Sequence, residues 1–118
     1  MKLIKQIYLI KSVAIAWLIT IAYLSLKPQV EMPINFDHLD KILHLGSYGL
    51  ATILITLAYP QTSQYQTAAL LFTYSLLIEI AQLFAINRYL EVADLAANLV
   101  GILLAVHLIR FIQKTARQ

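Results

Sequence analysis

Glu79, Gln82, Arg88, Glu91, Asp94 and Asn98 interrupt the otherwise apolar run LLIEIAQLFAINRYLEVADLAANLVG, from Leu76 to Gly101. A second stretch, DKILHLGSYGL, brings Asp40, Lys41, His44 and Tyr48. Carboxylates beside an imidazole suit general acid–base work, because burial and neighbouring charge shift both kinds of group. Arg88, Lys41 and a protonated His44 suit an anionic headgroup such as a phosphate. His44, Glu79 and Asp94 are also chemically able to ligate a metal. No paired-histidine motif supports that, so the sequence predicts no metal and no cofactor. Ser47 and Ser75 lack a nucleophile-elbow motif, and no cysteine is present, which removes thiol chemistry. Glycine-rich phosphate loops are absent, which argues against nucleotide use.

These residues fall at helical spacing. Asp37, Lys41, His44 and Tyr48 form one stripe, and Asp40 and His44 are an i, i+4 pair. Ser75, Glu79 and Gln82 form a second stripe; Asp94, Asn98 and Gly101 form a third. The elements carrying the stripes must lie in a bilayer. Of 118 residues, 60% are hydrophobic and 13% charged, against about half apolar and a quarter charged in a soluble domain. A soluble fold of this length has too little interior to hide so much apolar surface.

Stretches of about 20 apolar residues span a bilayer as helix. Residues 7–26, 42–59, 66–86 and 92–112 meet that condition, with Pro28, Pro33 and Pro60 marking loops. The expected fold is all-α: a four-helix polytopic membrane bundle, one domain over residues 1–118. The segment AYLSLKP offers no small-residue cleavage site, so the first span is expected to be retained rather than cleaved as a signal peptide. Lys11 lies near enough to the end of that span to snorkel toward headgroups. Lys2, Lys5, Lys11, Arg110, Lys114 and Arg117 share the side of the termini, whereas Lys27, Lys41 and Arg88 fall on the other. By the positive-inside rule both termini are cytoplasmic, and the chain is a multi-pass protein of the inner (cytoplasmic) membrane. The net charge of +3 is thus a matter of topology and not of nucleic-acid binding.

With this orientation every Asp and Glu falls in the outer loops or the outer halves of the helices. An acid at mid-membrane costs about 3 kcal/mol on insertion scales, so such groups face the bundle interior and find partners. Polar groups between membrane helices also act as plain glue, worth about 0.6 kcal/mol each. Their concentration at one depth favours a pocket. His107, near the other end, reads as an interfacial histidine. Trp17, in mid-span, reads as packing against a neighbour or lipid.

The ordered blocks D-K-x-x-H with a later aromatic, E-x-x-Q followed by Arg, and D-x-x-x-N-x-x-G resemble the VanZ-like family of small membrane proteins. Here they are Asp40, Lys41, His44 and Tyr48; Glu79, Gln82 and Arg88; and Asp94, Asn98 and Gly101. The resemblance covers roughly residues 37–104. It implies a polytopic helical fold in a bacterial or archaeal membrane, and a family whose founding member is associated with teicoplanin resistance. Fold or family alone does not fix a substrate. The expected ligand-binding set is Asp40, Lys41, His44, Tyr48, Glu79, Gln82, Arg88, Asp94 and Asn98. The expected partner is a membrane lipid or lipid-linked envelope precursor, held by its headgroup. The alternatives are a membrane enzyme using His/carboxylate chemistry on such a lipid, and a structural four-helix partner subunit with no ligand.

Overall fold

The structure, a computed structural model, describes residues 1–28, 37–86 and 89–117; of Asp37 and His38 it describes the backbone alone. The helices are α1 (Lys2–Leu26), α2 (Asp37–Ala58), α3 (Gln64–Ala81) and α4 (Val92–Ala116). Gln82–Phe84 form a 3₁₀ turn after α3, and the described residues include no strand. Each helix is long and apolar enough to cross a membrane, as the sequence predicts.

Local chemistry sets the boundaries. α1 ends at Lys27, whose backbone is extended ahead of Pro28, because the residue before a proline is disfavoured in helical conformation. Pro60 follows the end of α2 in the same sense. Ser63 caps α3: its hydroxyl accepts from the Gln66 N–H at 3.1 Å, and the Gln66 side chain accepts from the Ser63 N–H at 3.2 Å. Four predicted bounds move outward, since α1 begins at Lys2, α2 at Asp37 and α3 at Gln64, and α4 continues to Ala116. The far end of the third span moves inward. Its α-helix stops at Ala81, and the tighter 3₁₀ turn replaces the predicted helix beyond it.

α2 and α4 form the closest pair. Gly49 and Gly101 lie at their crossing, where a Cβ on Gly101 would meet the Leu45 backbone carbonyl oxygen at 2.1 Å. Small residues give membrane helices the close approach that the hydrophobic effect does not supply within lipid. The interior is built from Ala14, Ile21, Ala51, Ile55, Leu71, Ile78 and Ile102. Leucine, isoleucine and phenylalanine side chains such as Ile19, Leu43, Leu70, Leu103 and Phe111 face outward. A lipid-facing surface is the physical account of that inversion.

Tyr74 ties α3 to α1 by donating its hydroxyl hydrogen to the Leu18 carbonyl. Trp17 does more than fill space: its indole N–H donates to the Ser47 carbonyl at 3.0 Å, joining α1 to α2. Lys11 lies over two aromatic rings, 5.8 Å from the Tyr8 centroid and 4.9 Å from that of Tyr59.

Candidate functional site

The polar residues gather at the end of the bundle opposite both termini, where α2 and α4 begin and α3 ends. Asp94 lies in the first turn of α4 and Asn98 one turn further in. Both face α2, which presents Lys41 and His44 at the matching heights.

Lys41 Nζ donates to Glu91 Oε2 at 2.6 Å and to Asp40 Oδ2 at 3.4 Å, and makes its closest ion pair with Asp94 Oδ1. One ammonium therefore serves three carboxylates. His44 stands beside this group. Its Nε2 is 3.7 Å from Asp40 Oδ1 and 3.6 Å from Asp94 Oδ2. Each of these two aspartates gives one oxygen to Lys41 and turns the other toward the imidazole.

A buried relay fixes the ring. Asn98 is 1% exposed, and its Nδ2 donates to Ser75 Oγ at 2.8 Å. Its Oδ1 lies 3.0 Å from His44 Nδ1. An amide oxygen only accepts, so this network assigns the hydrogen to Nδ1 and turns Nε2 toward the carboxylates. Tyr48 is buried directly below, one helical turn from His44.

Glu79, 1% exposed, stands apart from the ion pairs among the described residues. Its Oε2 accepts from the Glu91 backbone N–H at 3.4 Å and so braces the start of α4. Gln82 is buried too, at the junction of α3 and the 3₁₀ turn, and its Nε2 donates to the Ser25 carbonyl of α1 at 2.9 Å. Its Oε1 is buried without a partner among the described residues. Arg88 lies outside the described residues, as do the side chains of Asp37 and His38.

A cavity of about 320 Å³ adjoins the cluster. Trp17, Ile21 and Leu24 of α1 with Leu43 and Tyr48 of α2 form its apolar wall; Asp40, His44 and Gln82 form its polar end. Glu91, Trp17 and Ser25 are absent from the sequence-derived set. Glu91 had a signal, an acid directly ahead of α4. Neither Trp17 nor the Ser25 carbonyl had one, because α1 carries no polar stripe.

The VanZ/LLP1 family model matches residues 2–113. The chain belongs to the VanZ/LLP1 family. No curated protein and no solved structure matches it. In this VanZ/LLP1 chain, four of the expected residues meet directly, Asp40, Lys41 and His44 from α2 and Asp94 from α4. Asn98 supports them from below, while Glu79 and Gln82 flank them on separate sides. Among the described residues the carboxylates Asp40, Glu79, Glu91 and Asp94 outnumber the lysine, so the cluster carries excess acceptor capacity. An imidazole held between two carboxylates beside an apolar cavity can orient a polar headgroup or move a proton.

Proposed function

We propose that this VanZ/LLP1 protein captures an amphipathic molecule of the envelope, a membrane lipid or lipid-linked precursor, with its headgroup at Asp40, His44 and Gln82 and its chain along α1. The observation that carries this reading is the cavity whose apolar wall ends at those polar side chains. Ligand sites commonly pair a mostly apolar lining with a few placed polar groups, and the volume is at the lower end of their usual range of about 300–1,000 Å³. With both termini cytoplasmic, as the basic residues direct, the site opens to the outer leaflet, where such precursors are displayed. Glu79 supports it by holding the entrance of α4.

The test is lipid identification after purification in mild detergent. Wild type is expected to carry one enriched lipid class, while Glu79→Gln and the cavity-filling Ser47→Phe lose it yet remain folded. Equal lipid content in all three sinks the proposal and leaves a structural subunit. The position of His44 between Asp40 and Asp94 favours one second reading, acid–base catalysis on the captured lipid. Turnover of a labelled lipid that requires both His44 and Asp94 would establish it. A role in glycopeptide resistance is measured separately, by teicoplanin susceptibility of cells with and without the protein.

A further inference from the structure

We propose that Asp40, His44 and Asp94 form a three-ligand site for a divalent cation of the zinc type. This goes beyond lipid capture and does not depend on it.

The geometry starts from the ligand atoms. One carboxylate oxygen from each aspartate and one imidazole nitrogen lie within 4.8 Å of one another. The two nitrogen–oxygen separations, 3.7 and 3.6 Å, are longer than a hydrogen bond. Ligands about 2.0–2.2 Å from a tetrahedral zinc ion stand about 3.3–3.5 Å apart. The two edges at His44 Nε2 are within a few tenths of an ångström of that spacing, and the third, between the two carboxylate oxygens, is no longer than 4.8 Å.

The imidazole is already oriented as a ligand. A metal-bound histidine commonly donates its other ring N–H to an oxygen acceptor, which fixes the tautomer. Here that acceptor is Asn98 Oδ1, itself positioned by Ser75. Lys41 does not fill the site, because it holds Asp40 Oδ2 and Asp94 Oδ1, whereas Asp40 Oδ1 and Asp94 Oδ2 face His44.

An independent observation comes from Gln82. The residue lines the cavity that Asp40 and His44 also line, and its Oε1 is buried without a partner among the described residues. An acceptor in that position calls for a donor, and a hydrated cation brings one. Imidazole and carboxylate oxygen together suit zinc and its neighbours, with His44 and the two aspartates leaving a fourth position toward the cavity.

The experiment uses the full chain in detergent, stripped with a chelator and titrated with Co²⁺ while its visible absorption is followed, then with Zn²⁺ by calorimetry. Wild type is expected to bind one ion per chain and to give the intense spectrum of a tetrahedral cobalt site. His44→Gln and Asp40→Asn are expected to lose that spectrum. Asn98→Ala is expected to weaken binding by about 10–100-fold, the usual cost of a lost ligand-orienting partner. His107→Gln, exposed near the other end of α4, should bind as wild type does. Asp40 is half-exposed, so its replacement leaves the bundle intact, and helical circular dichroism with gel filtration verifies the fold of every variant. No cobalt spectrum in wild type overturns the proposal. So does uptake that persists in folded Asp40→Asn and His44→Gln, or uptake that disappears with His107→Gln.

Discussion

Asn98 Oδ1 stands 3.0 Å from His44 Nδ1, and the same amide reaches Ser75 on its other side. A single side chain on α4 thereby links α2 to α3. Its removal leaves His44 Nδ1–H without an acceptor in a part-buried position, which costs about 1–3 kcal/mol. Deleting only the Ser75 hydroxyl leaves one Nδ2 hydrogen of the buried Asn98 without its partner but keeps the His44 contact. Asn98→Ala, which loses both contacts, should therefore destabilise the bundle more than Ser75→Ala, each by about 1–3 kcal/mol. Unfolding titrations in mixed micelles measure both. Equal losses would mean that the relay does not hold the imidazole.

The ion pairs of Lys41 rank by burial. The side chain of Asp94 is 8% exposed, that of Glu91 52%. Exposed pairs contribute about 0–1 kcal/mol, whereas breaking a buried pair costs about 3–5 kcal/mol because a charge is left without compensation. Glu91→Gln should change stability by less than about 1 kcal/mol. Lys41→Met should cost about 3–5 kcal/mol, since Asp94 is left buried beside Asp40 and Glu91. The double variant Lys41→Met/Asp94→Leu should recover most of that loss. The same micelle titration reads all three, and a recovery that fails would show that Lys41 serves the fold by some other contact.

The polar cluster was legible to the extent that helical spacing determines it. Asp40 with His44, and Asp94 with Asn98, sit four residues apart, and each pair keeps to one face. Spacing also placed Gly101 on the face of Asp94 and Asn98, where the structure sets it against α2. Gln82 was legible as a polar member of the α3 stripe, but its partner was not, and the bond made by Trp17 escaped as well. Each side chain donates to a backbone carbonyl of another helix, so the bond leaves no pattern in residue types. The charge on Glu91 was visible, but its use by Lys41 follows from how α4 starts beside α2.

Trp17 yields a prediction that separates packing from polarity. Trp17→Phe keeps an aromatic wall for the cavity but deletes the N–H that reaches Ser47. The expected loss of stability is about 0.6 kcal/mol, because the remaining Ser47 carbonyl already belongs to its own helix. Lipid enrichment should survive in Trp17→Phe and fall in Trp17→Ala, as judged by mass spectrometry of co-purifying lipid. Enrichment unchanged by the alanine would place the captured chain somewhere other than along α1.

The glycines of α2 and α4 make the sharpest structural test, because their surroundings differ in kind. At Gly101 a Cβ would lie 2.1 Å from the Leu45 carbonyl oxygen and 3.0 Å from its Cα, backbone atoms that move only with the whole helix. At Gly49 the nearest atom is the Gly101 carbonyl oxygen at 3.4 Å, an ordinary contact. At Gly46 nothing lies within 4 Å. Alanine favours a helix interior over glycine by about 1 kcal/mol, so Gly46→Ala should be neutral or stabilising and Gly49→Ala close to neutral. Gly101→Ala must push α4 away from α2, at a cost of about 3 kcal/mol or more, at or beyond the upper end for overpacked interiors. The displacement reaches the site directly. Leu45 follows His44, and Asn98 lies one turn from Gly101, so separating the helices lengthens the His44–Asn98 contact. Gly101→Ala should therefore lose both stability and Co²⁺ uptake, whereas Gly46→Ala keeps both. A Gly101→Ala protein as stable as wild type would show that the two helices do not cross at this point.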